Sequence, residues 1–448
     1  LPYSKHFHLL ASPFGVFFTD LEPRGRMRGE PEEESETAPF DARRFTWREL
    51  LTPLACAECG RCDRACPAFN SGEPLSPQDL IHGVKEHVLE IGAMLGKKNG
   101  AAPARPLFEG IITPAEIWAC TTCYSCMEHC PVRNEHLPLI FRMRRYAVSE
   151  GKMDARLQET LTAFMRYGNS YGQSERDRAK WTKSLPFKIP DARKQPVKYL
   201  WFVGDTASYD ARLGDAVRAT ATLFQAAGLD FGILYEAERN AGNDVRRTGE
   251  EGLFELLAQK NIAALKKCTF EEIITTDPHT YNTLKNEYPA LGAAWPVRHY
   301  TEILLDLILS GALPIEPLEG KKVTYHDPCY LGRYNGIYQA PRRILRSIGA
   351  RLVEMPRHGR DGYCCGAGGG RIWMEDSPSV KERPSESRVR EAAALRGVDT
   401  VVTACPKDIV MFLDAVKTTG LEGTLFIRDI AELVLQAATI PAHTAQET

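Results

Sequence analysis

Two cysteine runs of the same spacing decide most of what this chain can become. Cys56-Ala-Glu-Cys59-Gly-Arg-Cys62-Asp-Arg-Ala-Cys66-Pro67 and Cys120-Thr-Thr-Cys123-Tyr-Ser-Cys126-Met-Glu-His-Cys130-Pro131 each hold three closely spaced cysteines, a fourth further on, and a proline. Three thiolates spaced in this way can wrap three irons of one cube, while the fourth is turned away by the proline. Where two such runs share a domain, the remote cysteine ligates the other cube. One [4Fe-4S] cluster is therefore expected on Cys56, Cys59, Cys62 and Cys130, and a second on Cys120, Cys123, Cys126 and Cys66. Zinc modules usually set two CxxC pairs well apart, which this pattern does not do.

Thirteen cysteines in a chain of 448 residues could also mean disulfides, but eight lie in these runs and four more recur near glycine and proline. Such clustering points to metal ligation in a reducing compartment. With 25% charged and 43% hydrophobic residues, the chain can bury two or three cores. A formal net charge of -2 with both signs interspersed gives a nucleic-acid partner no electrostatic basis. The longest apolar stretch, 303–313, is broken by Asp306, Ser310 and Gly311, so a soluble chain is expected. Leu1 stands where Met would, with no basic-then-apolar leader, and a processed or truncated product is expected.

Residues 1–28 mix aromatics with bases and lack a clean period, reading as a docking segment; 29–39 is glutamate- and proline-rich, a solvated linker. An N-terminal segment and linker over 1–47 then precede a helical domain over 48–168. Its helices are predicted at 77–95 and 137–161, where apolar residues recur at helical spacing. Residues 169–196, polar and with three prolines, are predicted to be a second linker. From Val197 short β-rich runs alternate with helical stretches, at 199–203, 231–234, 273–275, 322–325 and 400–403, an α/β pattern with a mainly parallel sheet. This region repeats itself: Thr206-Ala-Ser-Tyr-Asp-Ala-Arg212 aligns with Asp327-Pro-Cys-Tyr-Leu-Gly-Arg333, Ile273-Ile-Thr-Thr-Asp-Pro-His279 with Val401-Val-Thr-Ala-Cys-Pro-Lys407, and Val297-Arg-His-Tyr-Thr-Glu302 with Ile427-Arg-Asp-Ile-Ala-Glu432. Two tandem copies, 197–315 and 316–448, follow.

The second copy holds Cys329, the adjacent pair Cys364-Cys365 before Gly366, and Cys405-Pro406 at a strand end. Thiols at strand ends and glycine turns can converge on one crevice, and glycines let backbone N–H groups approach cluster sulfurs. Adjacent cysteines in a glycine-rich loop are a poor core pattern. The glycines at 366–370 are only a weak nucleotide signal, because they sit inside the cysteine motif. In the first copy Ser208, Asn240-Ala241-Gly242, Asp277 and Thr280 stand at the corresponding positions, so that copy is expected to be structural. Cys268 reads as a structural or free surface thiol, His326 as a hydrogen-bonding core residue and Arg333 as a salt-bridge partner. Arg61, Asp63, Arg64, Glu128 and His129 read as surface groups near the first two clusters.

At these residues the chain resembles a known family. The helical insertion between the first two runs is similar to the ferredoxin domains of succinate dehydrogenase and heterodisulfide reductase subunits. Cys329, Cys364-Cys365-Gly366 and Cys405 resemble the cysteine-rich CCG domain of heterodisulfide reductase and of glycolate and lactate oxidation systems. The fold implied is an α helical two-cluster ferredoxin-like domain plus an α/β tandem-repeat CCG domain. The CCG pattern ends in CxxC, whereas Asp408 stands at the last position here; the expectation is a third iron–sulfur cluster on Cys329, Cys364, Cys365 and Cys405, with Asp408 as a second-sphere or surface group in preference to a fifth, hard ligand.

The first eighteen residues, Leu1 to Phe18, are similar to the segment that follows the haem-bearing membrane domain of CCG proteins associated with electron-transfer flavoproteins. That resemblance implies an oxidoreductase component at the cytoplasmic face of a membrane. It would pass electrons from an electron-transfer flavoprotein to a quinone, with haem only in a membrane domain upstream. The alternatives are a heterodisulfide reductase-like thiol–disulfide reductase, or the iron–sulfur subunit of a glycolate or lactate oxidase complex.

Overall fold

The structure, a computed structural model, describes residues 5–27, 40–95 and 104–440. The linker expected at 29–39 lies outside them. The chain divides into two compact units, one of Leu1–Gln158, Asp244–Glu251 and Gly366–Pro384, the other of Glu159–Asn243, Gly252–Cys365 and Ser385–Thr448.

The first unit is built on helices. Trp47–Leu54 opens with a capping box in which the Thr46 hydroxyl accepts from the Glu49 N–H and the Glu49 carboxylate accepts from the Thr46 N–H. Pro77–Leu95 buries Leu80, Ile81, Val84 and Ile91, the stripe that its periodicity implies. The helix expected over 137–161 is two, His136–Ser149 and Ala155–Tyr167, because Gly151 at φ +67° breaks the run. Near the N-terminus, where no clean period was read, His8–Phe17 is helical; Ala11 is buried while Leu9, Leu10, Phe14 and Phe17 are exposed.

Three chain segments meet at Arg144, which is fully buried. Its guanidinium donates to the carbonyls of Ile117 (2.8 Å), Cys120 (2.7 Å), Arg247 (3.0 Å) and Gly369 (3.0 Å). A side chain with five donors and a permanent charge suits a site made of carbonyl oxygens. The glycine run closes on the same place. A Cβ on Gly368 would lie 2.5 Å from the Thr121 carbonyl oxygen, and one on Gly369 would lie 2.7 Å from Thr122 Cγ2.

The second unit carries two four-stranded parallel sheets. The first contains β1 (Tyr199–Phe202), β2 (Phe231–Gly232), β3 (Glu272–Thr275) and β4 (Val297–His299), in the order β2-β1-β3-β4. The other contains β5 (Lys322–Tyr325), β6 (Arg351–Leu352), β7 (Thr400–Thr403) and β8 (Phe426–Asp429), ordered β6-β5-β7-β8. Equal orders and parallel pairing throughout make the duplication visible in space. The helices pack crosswise: Gly214–Ala226 lies on Ile430–Ala437, and Tyr300–Leu309 on Gln339–Ser347. One apolar core, with Trp201, Phe224 and Leu304 from one copy and Ile344, Leu345 and Val434 from the other, is thereby shared.

The segment 169–196, expected as a linker, is an ordered part of this unit. Trp181 is buried against Trp201 at 5.5 Å between ring centroids. Arg178 pairs with the buried Glu238 at 2.7 Å, and Glu238 also accepts from the N–H groups of Val203 and Gly204. Two anchoring side chains outweigh the polar average of the segment.

Candidate metal centres

In the first unit the eight cysteines of the two runs line two cavities. One has Cys56, Cys59, Cys62 and Cys130 on its wall; the other has Cys66, Cys120, Cys123 and Cys126. The remote cysteine of each run thus faces the three closely spaced ones of the other. The loops wind alike: Glu58 and Thr122, each before the second cysteine, have φ of 54° and 50°, and Gly60 and Tyr124, each after it, 69° and 68°. Left-handed residues are costly outside glycine and gather where a loop must curl its N–H groups inward. Two of those groups reach sulfur, Thr122 N–H to Cys120 Sγ at 3.3 Å and Asn134 N–H to Cys130 Sγ at 3.2 Å.

Without a cation Cys56, Cys62, Cys66, Cys126 and Cys130 resist ionisation. Burial, then the charge of Asp63, pushes Cys62 up to about 12, and burial raises Cys66, Cys126 and Cys130 as well. Four sulfurs on one wall with backbone N–H support, all buried in the second cavity and ranging from buried to exposed in the first, make a donor set that fits an iron–sulfur group, whose positive irons offset that cost. Of the charged residues within the runs, Asp63 accepts from Ser76 Oγ at 3.0 Å and the Gln78 N–H at 2.8 Å, and Glu128 pairs with Arg24. His129 Nδ1 lies 2.9 Å from the Ser125 carbonyl oxygen.

In the second unit Cys329, Cys364, Cys365 and Cys405 are all buried. Cys405 is the N-cap of Pro406–Thr418 at the end of β7. A hydrogen bond with Cys364, then burial, holds the Cys365 thiol well above its ordinary range, with Asp408, Cys364 and Cys329 adding like charge. Asp408 is buried, which removes the surface alternative for it; its Oδ2 accepts from the Thr403 hydroxyl at 3.0 Å. Burial lifts its carboxyl to about 6. His326 is buried and accepts at Nδ1 from Arg388 Nε at 3.1 Å. Arg333 donates to the Gly362 carbonyl. Cys268 is half-buried, 3.4 Å from the Ala264 carbonyl oxygen.

The Gly369 N–H donates to Asp244 Oδ1 at 3.0 Å, and the glycine run packs on Cys120, Thr121 and Thr122 in the first unit. Its lack of Cβ atoms serves that close approach of backbones.

The first copy's substitutes are bonded locally. The Ser208 hydroxyl donates to the Gly204 carbonyl at 2.6 Å and the Asn240 amide to Asp205 at 2.7 Å. Asp277 accepts from the His279 N–H at 3.0 Å and the Thr280 hydroxyl at 2.9 Å. Yet Asp277, His279 and Cys405 each bring a ligand-capable atom into one buried group, all within 4.8 Å of one another. The sequence reading missed His279, although its place in the repeat, two residues after the equivalent of Cys405, could have found it.

Comparison with known proteins gives two family matches. The cysteine-rich domain CCG matches residues 201–285 and 323–408, covering both copies, and the 4Fe-4S dicluster domain matches 55–134. A probable iron-sulfur-binding oxidoreductase FadF of Bacillus subtilis is 38% identical over 98% of this chain and 67% of its own length. An EtfAB:quinone oxidoreductase of Syntrophomonas wolfei is 34% identical over 98% of this chain and 65% of its own. The chain thus spans about two thirds of these two longer relatives. A component of the dihydromethanophenazine:CoB–CoM heterodisulfide reductase of Methanosarcina barkeri is 30% identical over 90% of this chain and 98% of its own. With the sulfur-lined sites and the duplicated sheets, these matches make the chain a member of the iron–sulfur oxidoreductase family that joins a 4Fe-4S dicluster domain to CCG cysteine-rich domains and includes that heterodisulfide reductase component and EtfAB:quinone oxidoreductase.

Proposed function

We propose that this chain takes electrons from an electron-transfer flavoprotein and passes them toward a membrane quinone. The observation that carries the reading is the assembly of cysteines into two four-sulfur cavities together with a further buried four-cysteine set in the CCG copy. When bound, iron–sulfur groups supply one-electron transfer. The donor is inferred from the Syntrophomonas relative, whose name specifies EtfAB and quinone.

In this reading Cys56, Cys59, Cys62 and Cys130 hold the first cluster, Cys120, Cys123, Cys126 and Cys66 the second, and Cys329, Cys364, Cys365 and Cys405 the third. The N–H groups of Thr122 and Asn134 steady the sulfurs of Cys120 and Cys130. Arg144 fixes the Cys120 backbone through its carbonyl. The domains proposed are 48–168 for the ferredoxin-like pair, 197–315 for the cysteine-free copy and 316–448 for the cluster-binding copy. Among the described residues no helix is long and apolar enough to cross a membrane. Exposed Leu9, Leu10, Phe14 and Phe17 support docking of the N-terminal helix to a haem-bearing membrane part at the cytoplasmic face. Asp408 in place of a terminal cysteine weighs against a disulfide-reducing site.

The test is anaerobic stopped-flow mixing of the oxidised, cluster-loaded chain with reduced electron-transfer flavoprotein. Flavin reoxidation in step with bleaching of the iron–sulfur absorbance supports the proposal. Bleaching by a reduced flavin hydroxy-acid dehydrogenase but not by the flavoprotein overturns it in favour of an oxidase subunit.

A further inference from the structure

The trio Asp277, His279 and Cys405 has the composition of a small metal site, and the hydrogen bonds around it decide between three roles: a separate mononuclear site, a His279 ligand to the third cluster, or a His279 hydrogen-bond donor to it. Asp277 accepts through one oxygen from the His279 N–H and through the other from the Thr280 hydroxyl, as the cap of the helix Pro278–Asn282. Its carboxylate is thus committed to ending a strand and starting a helix. A separate mononuclear site would have to take it from that cap, which disfavours the first role.

The second and third roles turn on which His279 nitrogen carries the proton, and a polar chain inside the cysteine-free copy sets it. The Glu287 carboxylate accepts from Asn282 Nδ2 at 3.5 Å, and the same amide nitrogen faces Asn243 Oδ1 at 3.4 Å. Asn282 Oδ1, on the other side of that amide, accepts from Asn286 Nδ2 at 2.9 Å and Asn335 Nδ2 at 3.2 Å. Asn243 Oδ1 also accepts from the Thr283 hydroxyl at 3.3 Å. Asn243 is thereby oriented with Nδ2 toward His279 Nδ1, 3.1 Å away. An amide nitrogen can only donate, so Nδ1 accepts and a neutral ring carries its hydrogen on Nε2. A protonated Nε2 is a hydrogen-bond donor rather than a metal ligand. The ring itself is clamped, lying at 4.2 Å between centroids on Tyr330, the residue after Cys329.

We propose that His279, supplied by the copy without cysteines, donates a hydrogen bond through Nε2 to the Cys405 side of the third cluster and raises that cluster's reduction potential. This rests on the reading of Cys329, Cys364, Cys365 and Cys405 as the ligands of that cluster. The direction follows from charge: the reduced state is the more negative one, so a donor at its sulfur stabilises it over the oxidised state. No proton moves in this role. The first copy is then a working half of the site, with Glu287, Asn282 and Asn243 as positioning residues for the imidazole.

The experiment is an anaerobic redox titration of the full chain followed by electron paramagnetic resonance, with iron analysis, on wild type, His279→Phe and His279→Gln. Phenylalanine keeps a ring against Tyr330 and removes the donor, while glutamine retains an N–H. At the potential where the wild-type third signal is half developed, the reduced-to-oxidised ratio of that cluster in His279→Phe should be about tenfold lower, with His279→Gln between the two and both ferredoxin-type signals unmoved. Pulsed measurements on wild type should show a weakly coupled exchangeable proton that His279→Phe lacks. An unmoved midpoint in His279→Phe, loss of iron from it, or a directly coordinated nitrogen in wild type overturns the proposal. A wild-type content of about eight irons in place of about twelve removes the third cluster itself, and is thereby distinguishable from failure of the donor role alone.

Discussion

His326 Nε2 lies 3.5 Å from Asp408 Oδ2, and both side chains are buried. Arg388 donates to the other ring nitrogen of His326, so the neutral imidazole carries its hydrogen on the face toward Asp408. Burial, with Arg388 beside it, keeps His326 well below the usual histidine range. Asp408 Oδ2 therefore accepts from Thr403 and faces His326, and the carboxylate is also bonded to the Cys365 side chain, a setting that the proposed function reads as a group beside the third cluster. Asp408→Asn should keep about twelve irons per chain. Loss of about four irons on anaerobic purification would make Asp408 a ligand.

Cys365→Ser tests the third site from the thiol side. Iron should fall from about twelve to about eight per chain, and one paramagnetic signal should vanish while the two from the dicluster domain persist. If the proposed function holds, electron flow from flavoprotein to quinone should fall with it. Undiminished turnover would place the third cluster off the path.

Arg144→Met removes a buried cation from four carbonyl oxygens of buried residues. The expected loss is roughly 3 kcal/mol of stability, read as a lower midpoint in anaerobic denaturant unfolding. Because the Cys120 carbonyl is one of the four, iron retention at the second cluster should suffer before that at the third.

Asp429 supplies a pH signature. The Tyr300 hydroxyl donates toward both its oxygens, at 2.8 and 2.9 Å, and burial lifts the carboxyl from 3.8 to about 7. A raised native pKa means that the folded chain keeps a proton which the unfolded chain releases. Its contribution is therefore complete below 3.8 and is lost as the pH rises toward about 7. Asp429→Asn should flatten this slope by up to about 1.4 kcal/mol per pH unit, measured by unfolding at pH values inside that window. An unchanged slope would show that Asp429 is ionised in the fold.

The sequence made some of this legible and hid the rest for physical reasons. The span of Pro77–Leu95 and the position of β5 and β7 could be read because periodicity and strand composition are local properties. Cys56 with Cys130, and Cys66 with Cys120, could be assigned because the spacing of a run limits which sulfurs one loop can bring together. The ordered segment around Trp181 was hidden, since one buried ring and one buried ion pair do not change an average polarity. The partners of Gly369 and of Arg144 were hidden too, because a close backbone approach leaves no trace in spacing. His279 escaped notice because the role proposed for it depends on which way three amide groups point.

The reach of Arg144 also bears on how the protein is made. Its hydrogen bonds join residues separated by 103 and 225 positions along the chain. Domains ordinarily fold in turn as they leave the ribosome, the N-terminal one first. Here the carbonyl of Gly369 that completes the first unit is synthesised after both cysteine runs and most of the duplicated sheets. The earliest-made sulfurs therefore wait for one of the latest-made segments, and a chain cut short before residue 369 would present its first two cysteine runs to the cell's iron-loading machinery in a unit still missing one side.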